Sequence, residues 1–598
     1  MEKVAVQAAL LKGFFFFTTH MLPYRGFGAM VRGIFRKPWR AFEEGTKSPR
    51  RVQTDLLLDL VSRNALTEFG RLHAFGSVRS VDDYRAAVPV TDYDAFAPYI
   101  DRMCRGEKNL LTAEDPFYFA RTSGTTGRAK NIPVTRRYVE EFQRAQRVWY
   151  RSFALQFPGM IKGNPLTIVS NKIEGHTESG VPYGSISRPL TFRENEVVDR
   201  VAAIPRETFH IDDFNAKYYA LLRIALSTRI STIAAVNPST IMMFAKKLNE
   251  FAPRFVRDLR DGTLDRSVEI DPKLRLRIET KLKPDKAHAQ RLERLLSAHG
   301  ALRPKDAWPM LCGLACWKGG SAGFYLKQFP DWYGDLPVLE FGFVASEGHF
   351  SVPLNATGDS GVFSVSSHFC EFIPATEREA NPGDPFPKTL LAHEIEEGRR
   401  YFIVVSGSHG LYRYDINDIV EVTGFFNRTP MLRFLHKGGN MLSLTGEKVG
   451  ESHVVTAVTN ASRALNLPLD GFSVTLRLED TPRYVFAVEP NPAISHEPSV
   501  VSSKNSKLKT QDSELLKALL ARCDEELGKA NLEYEAKRRS GRLGPPVLLL
   551  LAPGSFERHR IRRVAEGAPD AHVKPPHVFR SEDELRKRLD VTEEIADT

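Results

Sequence analysis

Cysteine is scarce: five residues in 598 (Cys104, Cys312, Cys316, Cys370, Cys523), scattered along the chain. That excludes a disulfide framework and suits a reducing, cytoplasmic setting. Cys312 and Cys316 stand four apart, yet no second Cys or His pair lies near them. Both are read as small core residues, not as metal ligands. An uninterrupted apolar span is also lacking. The run ALLKGFFFFTTHML (9–22) is broken by Lys12, Glu2 weakens any charged leader, and no small-residue cleavage site follows. We read it as a helix on the body of the protein, with no membrane span and no signal peptide. Internal repeats, low-complexity tracts and the GxxxxGK[ST] spacing of a Walker loop are absent as well.

What is present is a chain too long for one ordinary core, with 42 % hydrophobic and 26 % charged residues, the composition of a globular protein. The net charge of +10 is spread along the sequence apart from short runs such as KRR (537–539) and RHRIRR (558–563). A solvated basic face accounts for it; an attraction for a polyanionic nucleotide is the functional reading. No helix-turn-helix, zinc or base-stacking motif supports a nucleic-acid partner.

Short apolar runs at 165–170, 231–236, 335–346 and 400–407 read as strands, alternating with helices at 136–157, 213–228 and 238–261. The charged 272–299 segment is expected to be an exposed helical insertion. The fold class is therefore α/β: a large N-terminal layered α/β domain (1–436), then, past the glycine-rich HKGGN, a smaller α+β domain (437–598) with a flexible loop at 491–510.

Three stretches carry chemistry. In TSGTTGRAK (122–130), Gly124 and Gly127 allow a tight backbone, while hydroxyls and exposed amides offer donors to phosphate oxygens and Lys130 adds a point charge. It reads as a loop feeding a helix; an ordinary turn is the plainer alternative. In EFGFVASEG (340–348) an apolar run ends in Ser346-Glu347-Gly348, leaving a carboxylate able to hold Mg²⁺ between phosphates, with Phe343 able to stack on a base. In GLYRYDINDIVEVTG (410–424), Asp418 precedes an apolar strand, where a carboxylate can accept from two ribose hydroxyls; Asp415 competes for the role. FLHKGGN (434–440) follows, with Lys437 beside the glycine-rich joint.

In this order, TSGTTGRAK, FVASEG, LYRYDINDI and FLHKGGNMLSLTGEKVGE resemble the acyl-adenylate-forming (luciferase-like, ANL) superfamily, and more closely its Gretchen Hagen branch of acyl-acid amido synthetases. NALTEFGRLHAFGSV (64–78), FCEFIP (369–374) and NLEYEAKRR (531–539) extend the similarity over about 50 to 580. The resemblance implies an adenylate-forming N-terminal domain and a mobile C-terminal one. It implies a phosphate cradle of Ser123, Gly124, Thr125, Thr126 and Lys130, an adenine platform at Phe343, and Ser346 and Glu347 near the α-phosphate and magnesium. Asp418 falls at the ribose-binding aspartate, Lys437 at the hinge basic residue, and Lys574, in GAPDAHVKPPHVF (567–579), at the mobile catalytic lysine. Lys130, Glu347 and Lys574 would be catalytic. The acyl pocket would involve Asn237, Ser239, Trp317 and Tyr325. Three departures stand out: Asn417 where Gly is common, Phe343 without a phenol, and Lys437 without the planar fork of Arg.

The implied reaction activates a carboxylic acid with ATP and Mg²⁺ and passes the acyl group to an amino acid or related amine. Transfer to coenzyme A or a carrier protein is the nearer alternative. A remote one is a serine hydrolase using Ser321 of Gly319-Gly320-Ser321-Ala322-Gly323, with Asp418 and His436 downstream.

Overall fold

The computed structural model describes residues 24–122, 130–168, 173–191, 204, 208–209, 211, 213–319, 325–381, 383–438, 441–490, 510–565, 577–579 and 581–596. The run 9–22, the loop 491–509, Ser321 and the phosphate-loop residues Ser123, Gly124, Thr125 and Thr126 lie outside them, as does Lys574. The described residues fall into two compact units that part between Lys437 and Gly438.

In the first unit, four short strands rich in Ile, Leu, Val and Ala form a parallel sheet in the order Asn164–Thr167, Ile230–Ala234, Gly313–Ala315, Val338–Leu339. Parallel neighbours need long crossovers, and helices supply them. Phe214–Leu226 precedes the second strand, and Pro238–Glu250 and Ala252–Asp261 follow it. The predicted single helix 238–261 is thus two, broken at Phe251, which ends the first and precedes the second. The 272–299 segment differs from expectation too. Its helices Pro272–Glu279 and Lys286–His299 bury Ile278, Ala289 and Leu292 completely in the core of this sheet, because their few apolar residues fall on one face. It is charged outside and packed inside, not an appendage.

A six-stranded antiparallel sheet runs in the order Ser351–Val352, Ser360–Phe363, Thr429–Lys437, Tyr414–Phe426, Arg400–Ser406, Phe369–Pro374. A third sheet pairs Tyr118–Thr122 with Lys130–Val134, Thr122 opposite Lys130. A strand therefore separates the hydroxyl-glycine loop from the next helix, since the apolar Ile132 and Val134 are fully buried. The helix, Arg136–Gln156, starts where the Thr135 hydroxyl accepts from the Tyr138 amide, 3.1 Å away. Its apolar face buries Tyr138, Phe142, Ala145, Trp149 and Phe153, and Trp149 stacks on Phe341 with centroids 4.7 Å apart.

The second unit is a four-stranded mixed sheet, Leu469–Arg477, Arg483–Pro490, Val547–Leu551, Val591–Ala596, with helices on both faces. Alternation along Arg483–Pro490 sends Tyr484, Phe486 and Val488 to a core shared with Glu451–Ala464 and Thr510–Ala530. Val485 and Ala487 turn to Leu585 and Leu589 on the other face. Thr510–Ala530 is followed by a second helix, Leu532–Arg539, capped by the side chain of Asn531 between them. The fold is thus mixed α/β, with a large N-terminal and a smaller C-terminal part.

Candidate active site

Ser346 and Glu347 are the two turn residues of a minimal hairpin, Val344–Ala345 paired antiparallel with Gly348–His349. The hairpin follows the last parallel strand beyond its carboxyl end, where open α/β sheets bind ligands. Gly342 makes the approach possible: its φ is +87°, and a Cβ there would come within 2.0 Å of the Ser351 carbonyl oxygen.

Asp418 reaches its position by another irregularity. Between Phe402 opposite Ile419 and Val404 opposite Asp415, the strand Tyr414–Phe426 carries two residues more than its neighbour. Such a bulge re-aims side chains. Asn417 adopts φ +59° within it, so Asn stands where glycine is common because both tolerate the left-handed region. Asp418 is buried, directly opposite Lys437 on the neighbouring strand, with Oδ1 2.7 Å from Lys437 Nζ. Close as that is, Oδ1 receives no aligned hydrogen bond, while Lys437 donates to the Ile416 carbonyl at 2.6 Å. We read the pair as an ion contact that leaves Oδ1 free to accept from a ligand hydroxyl. Asp415, the competitor, is held by Arg378 and accepts from the Asn417 amide at 2.7 Å.

Lys130 donates to the Tyr414 hydroxyl at 3.3 Å and lies 5.3 Å from the Tyr93 ring centre. Burial lowers its pKa below the usual lysine value, the Glu347 carboxylate opposes that, and the Lys437 charge adds to it. Tyr414 is raised well above the usual phenol by burial, then by the Glu347 and Asp418 carboxylates. Lys130 thus contacts Tyr414, Asp418 contacts Lys437, and the Glu347 charge bears on both Lys130 and Tyr414: two cations and two carboxylates from four separate stretches. Sequence reasoning missed Tyr414, although it quoted the LYRYDINDI stretch that contains it.

Phe343 is buried, stacked on Phe434 at 5.4 Å and beside Phe350 at 4.9 Å, so it forms part of the core wall. The acyl candidates lie elsewhere along the sheet. Asn237 caps the helix Pro238–Glu250, accepting from both the amide and the hydroxyl of Ser239, which consumes that hydroxyl. Trp317, half-buried, donates its backbone amide to the Val236 carbonyl, tying the ends of two parallel strands together. Tyr325 is buried in the core, as are Ile241 and Met242. Glu340, not singled out from the sequence, is pushed up to about 8 by burial, against hydrogen bonds from the Lys318 and Gly342 amides. A cavity of about 360 Å³ lined by Arg229, His288, Arg291 and Trp308 opens at the opposite edge of the parallel sheet, before Ile230, and shares no residue with this cluster.

The chain matches the GH3 family N-terminal domain over residues 39–338, its central domain over 361–437 and its C-terminal domain over 452–583. It belongs to the GH3 family. An indole-3-acetic acid-amido synthetase, GH3.4 of Arabidopsis thaliana, is 26% identical over 446 residues, 72% of this chain and 74% of its own. A jasmonoyl--L-amino acid synthetase, GH3.5 of Oryza sativa subsp. japonica, is 25% identical, covering 90% and 93%. The solved structure of AtGH3.15 acyl acid amido synthetase in complex with 2,4-DB superposes with a TM-score of 0.61 at 20% identity, over 94% of this chain and 97% of that one. It shares the fold.

Proposed function

We propose that this protein is an ATP-dependent acyl-acid amido synthetase that adenylates a carboxylic acid and transfers the acyl group to the amine of an amino acid or related amine. One observation carries the reading: Lys130 on Tyr414 and Asp418 on Lys437, both linked through Lys130 and Tyr414 to the Glu347 charge, in a GH3 family chain whose named relatives are amido synthetases. Asp418 Oδ1, in ion contact with Lys437, keeps lone-pair capacity for a ribose hydroxyl, and adenine is assigned to the Phe343 ring. Among the described residues no three His, Cys, Asp or Glu gather as a metal cage. Magnesium is commonly held by one or two carboxylates plus substrate phosphates, and Glu347 supplies one such carboxylate. Glu347 would hold it, and the ion would neutralise charge on the phosphates.

In this reading the acid's carboxylate attacks the α-phosphorus of ATP and pyrophosphate leaves. Lys130, kept in a poorly hydrated setting, stabilises the developing charge together with Lys574, and Ser123, Gly124, Thr125 and Thr126 cradle the phosphates. A neutral amine then attacks the acyl carbon, AMP leaves and the nitrogen releases a proton to solvent, so no protein nucleophile is needed and the protein acts largely through position and electrostatics. The acid is assigned to the carboxyl edge of the parallel sheet, near Trp317 and Asn237, with Ser239 and Tyr325 behind. The part from Gly438 onward acts as the mobile domain, and the setting is cytoplasmic; no described helix is long and apolar enough to cross a membrane. The hydrolase reading is less favoured because the named relatives are amido synthetases.

The test is acid-dependent exchange of labelled pyrophosphate into ATP across a panel of carboxylic acids, then mass spectrometry of products with pooled amino acids or with coenzyme A. Exchange followed by amide formation supports the reading. No exchange with any acid overturns it, and a thioester in place of an amide overturns the acceptor.

A further inference from the structure

The Ser346–Glu347 turn bears the weight of the proposed chemistry but has only two-residue strands on either side, too few ladder bonds to hold a hairpin unaided. Both of its carbonyls are gripped from outside. Tyr138, on the first turn of the helix Arg136–Gln156, donates its hydroxyl to the Ser346 carbonyl at 2.5 Å. His409, in the turn joining Arg400–Ser406 to Tyr414–Phe426, places Nε2 3.1 Å from the Glu347 carbonyl.

The proton on His409 can be located. Its Nδ1 accepts the Leu411 amide at 3.0 Å, so Nδ1 is bare and Nε2 carries the hydrogen that it donates to Glu347. The rings of Tyr138 and His409 lie 5.1 Å apart, and both residues are completely buried. Tyr138 is itself anchored, because Thr135 caps its amide while donating to the Ser408 carbonyl at 2.9 Å. Ser408 in turn donates to Glu141. Gly348, at the turn's exit, has no room for a side chain: a Cβ would meet His368 at 2.7 Å.

We propose that Tyr138 and His409 are positioning residues that clamp the Ser346–Glu347 turn through its two carbonyls, so that the Glu347 carboxylate stays aimed at the cluster around Tyr414. The clamp's catalytic meaning rests on the function proposed above; its mechanical meaning does not. Neither residue is assigned contact with substrate.

Four proteins decide it: the full-length wild type, Tyr138→Phe, His409→Asn and His409→Gln. Gln can present a donor where Nε2 stood, whereas Asn reproduces only the Nδ1 acceptor toward Leu411. In the enzyme without nucleotide, Tyr138→Phe and His409→Asn should speed amide hydrogen exchange in the 345–350 segment about tenfold, leaving the 214–226 helix unchanged and His409→Gln near wild type. In acid-dependent pyrophosphate exchange the same two variants should lose about tenfold in kcat with the KM for the acid unchanged, and His409→Gln should stay within about threefold. Equal loss in His409→Gln and His409→Asn overturns the clamp, and so does unaltered hydrogen exchange in Tyr138→Phe, the mildest change and the one expected to fold. A wild type with no acid-dependent exchange overturns the proposed function instead, while hydrogen exchange still decides the clamp.

Discussion

Asp415 and Asp418 differ by three positions and by what holds them. Asp415 is locked against Arg378 and the Asn417 amide, and breaking a buried pair leaves the other charge stranded, at about 3–5 kcal/mol. Asp418 has a lone pair to spare. Asp418→Ala should therefore raise the KM for ATP about 10- to 100-fold, as removal of a charged acceptor costs about 1.5–3 kcal/mol, and should also lower stability because it strands Lys437. Asp415→Asn should lower the urea midpoint while the surviving folded enzyme keeps its KM for ATP. Pyrophosphate exchange and urea unfolding on both variants separate the two roles, and an ATP defect in Asp415→Asn alone would reverse the assignment.

His409 also titrates. Burial first, then the neighbouring His368 charge, lowers it from 6.5 to about 3, and His349 shifts likewise. In the unfolded chain a histidine takes up its proton near pH 6.5. Between pH 6.5 and 3 the unfolded state thus binds protons the native state refuses, so native stability is intact above pH 6.5 and falls as the pH drops toward 3. The slope is about 1.4 kcal/mol per pH unit for each such histidine. His409→Gln cannot titrate, so its stability from urea unfolding should fall less steeply between pH 6 and pH 4 by about that amount. Identical slopes would mean that His409 is already charged in the native protein.

At the scale of elements, part was legible: three of the four parallel strands, the long helix after residue 135, Arg400–Ser406 and the strand that carries Asp418 follow β-branched runs and helical spacing, whereas Gly313–Ala315 is too short to show either. The irregular pieces were not. A hairpin of two-residue strands is too short to show alternation, and the bulge that turns Asp418 inward is visible only when two strands are laid side by side. Tyr138 and His409 act through carbonyls 208 and 62 positions away, which no local pattern encodes. The 272–299 helices looked exposed because charge dominates their composition, yet Ile278 on the first and Ala289 and Leu292 on the second, with Leu274, Leu295 and Leu296 beside them, seat both in the core. Where irregularity is required, substitution should be severe. Gly342→Ala must move a backbone carbonyl now 2.0 Å from the added methyl and abandon a left-handed φ. A loss of about 2–4 kcal/mol in urea unfolding is expected, with adenylation falling further than stability because the Ser346–Glu347 turn moves with it.

For the whole molecule, the cations fall on both sides of the Lys437–Gly438 division: Lys130 and Lys437 before it, Lys574 after it. An enzyme that makes an adenylate and then consumes it needs the triphosphate charge neutralised only in the first step, since pyrophosphate has left by the second. In the proposed reaction a lysine on the smaller part is needed for the first step only. The two half-reactions should part company in Lys574→Ala. Loss of one charge-stabilising donor costs about 10²- to 10³-fold where charge develops, so acid-dependent pyrophosphate exchange should fall by that factor. Amide formation from a supplied acyl-adenylate should stay within about threefold, because no phosphate charge builds up in that step. Lys130→Ala, altered in the larger part, should also lose exchange. Equal losses in both half-reactions of Lys574→Ala would place that lysine in the fold of the smaller part instead of in the chemistry.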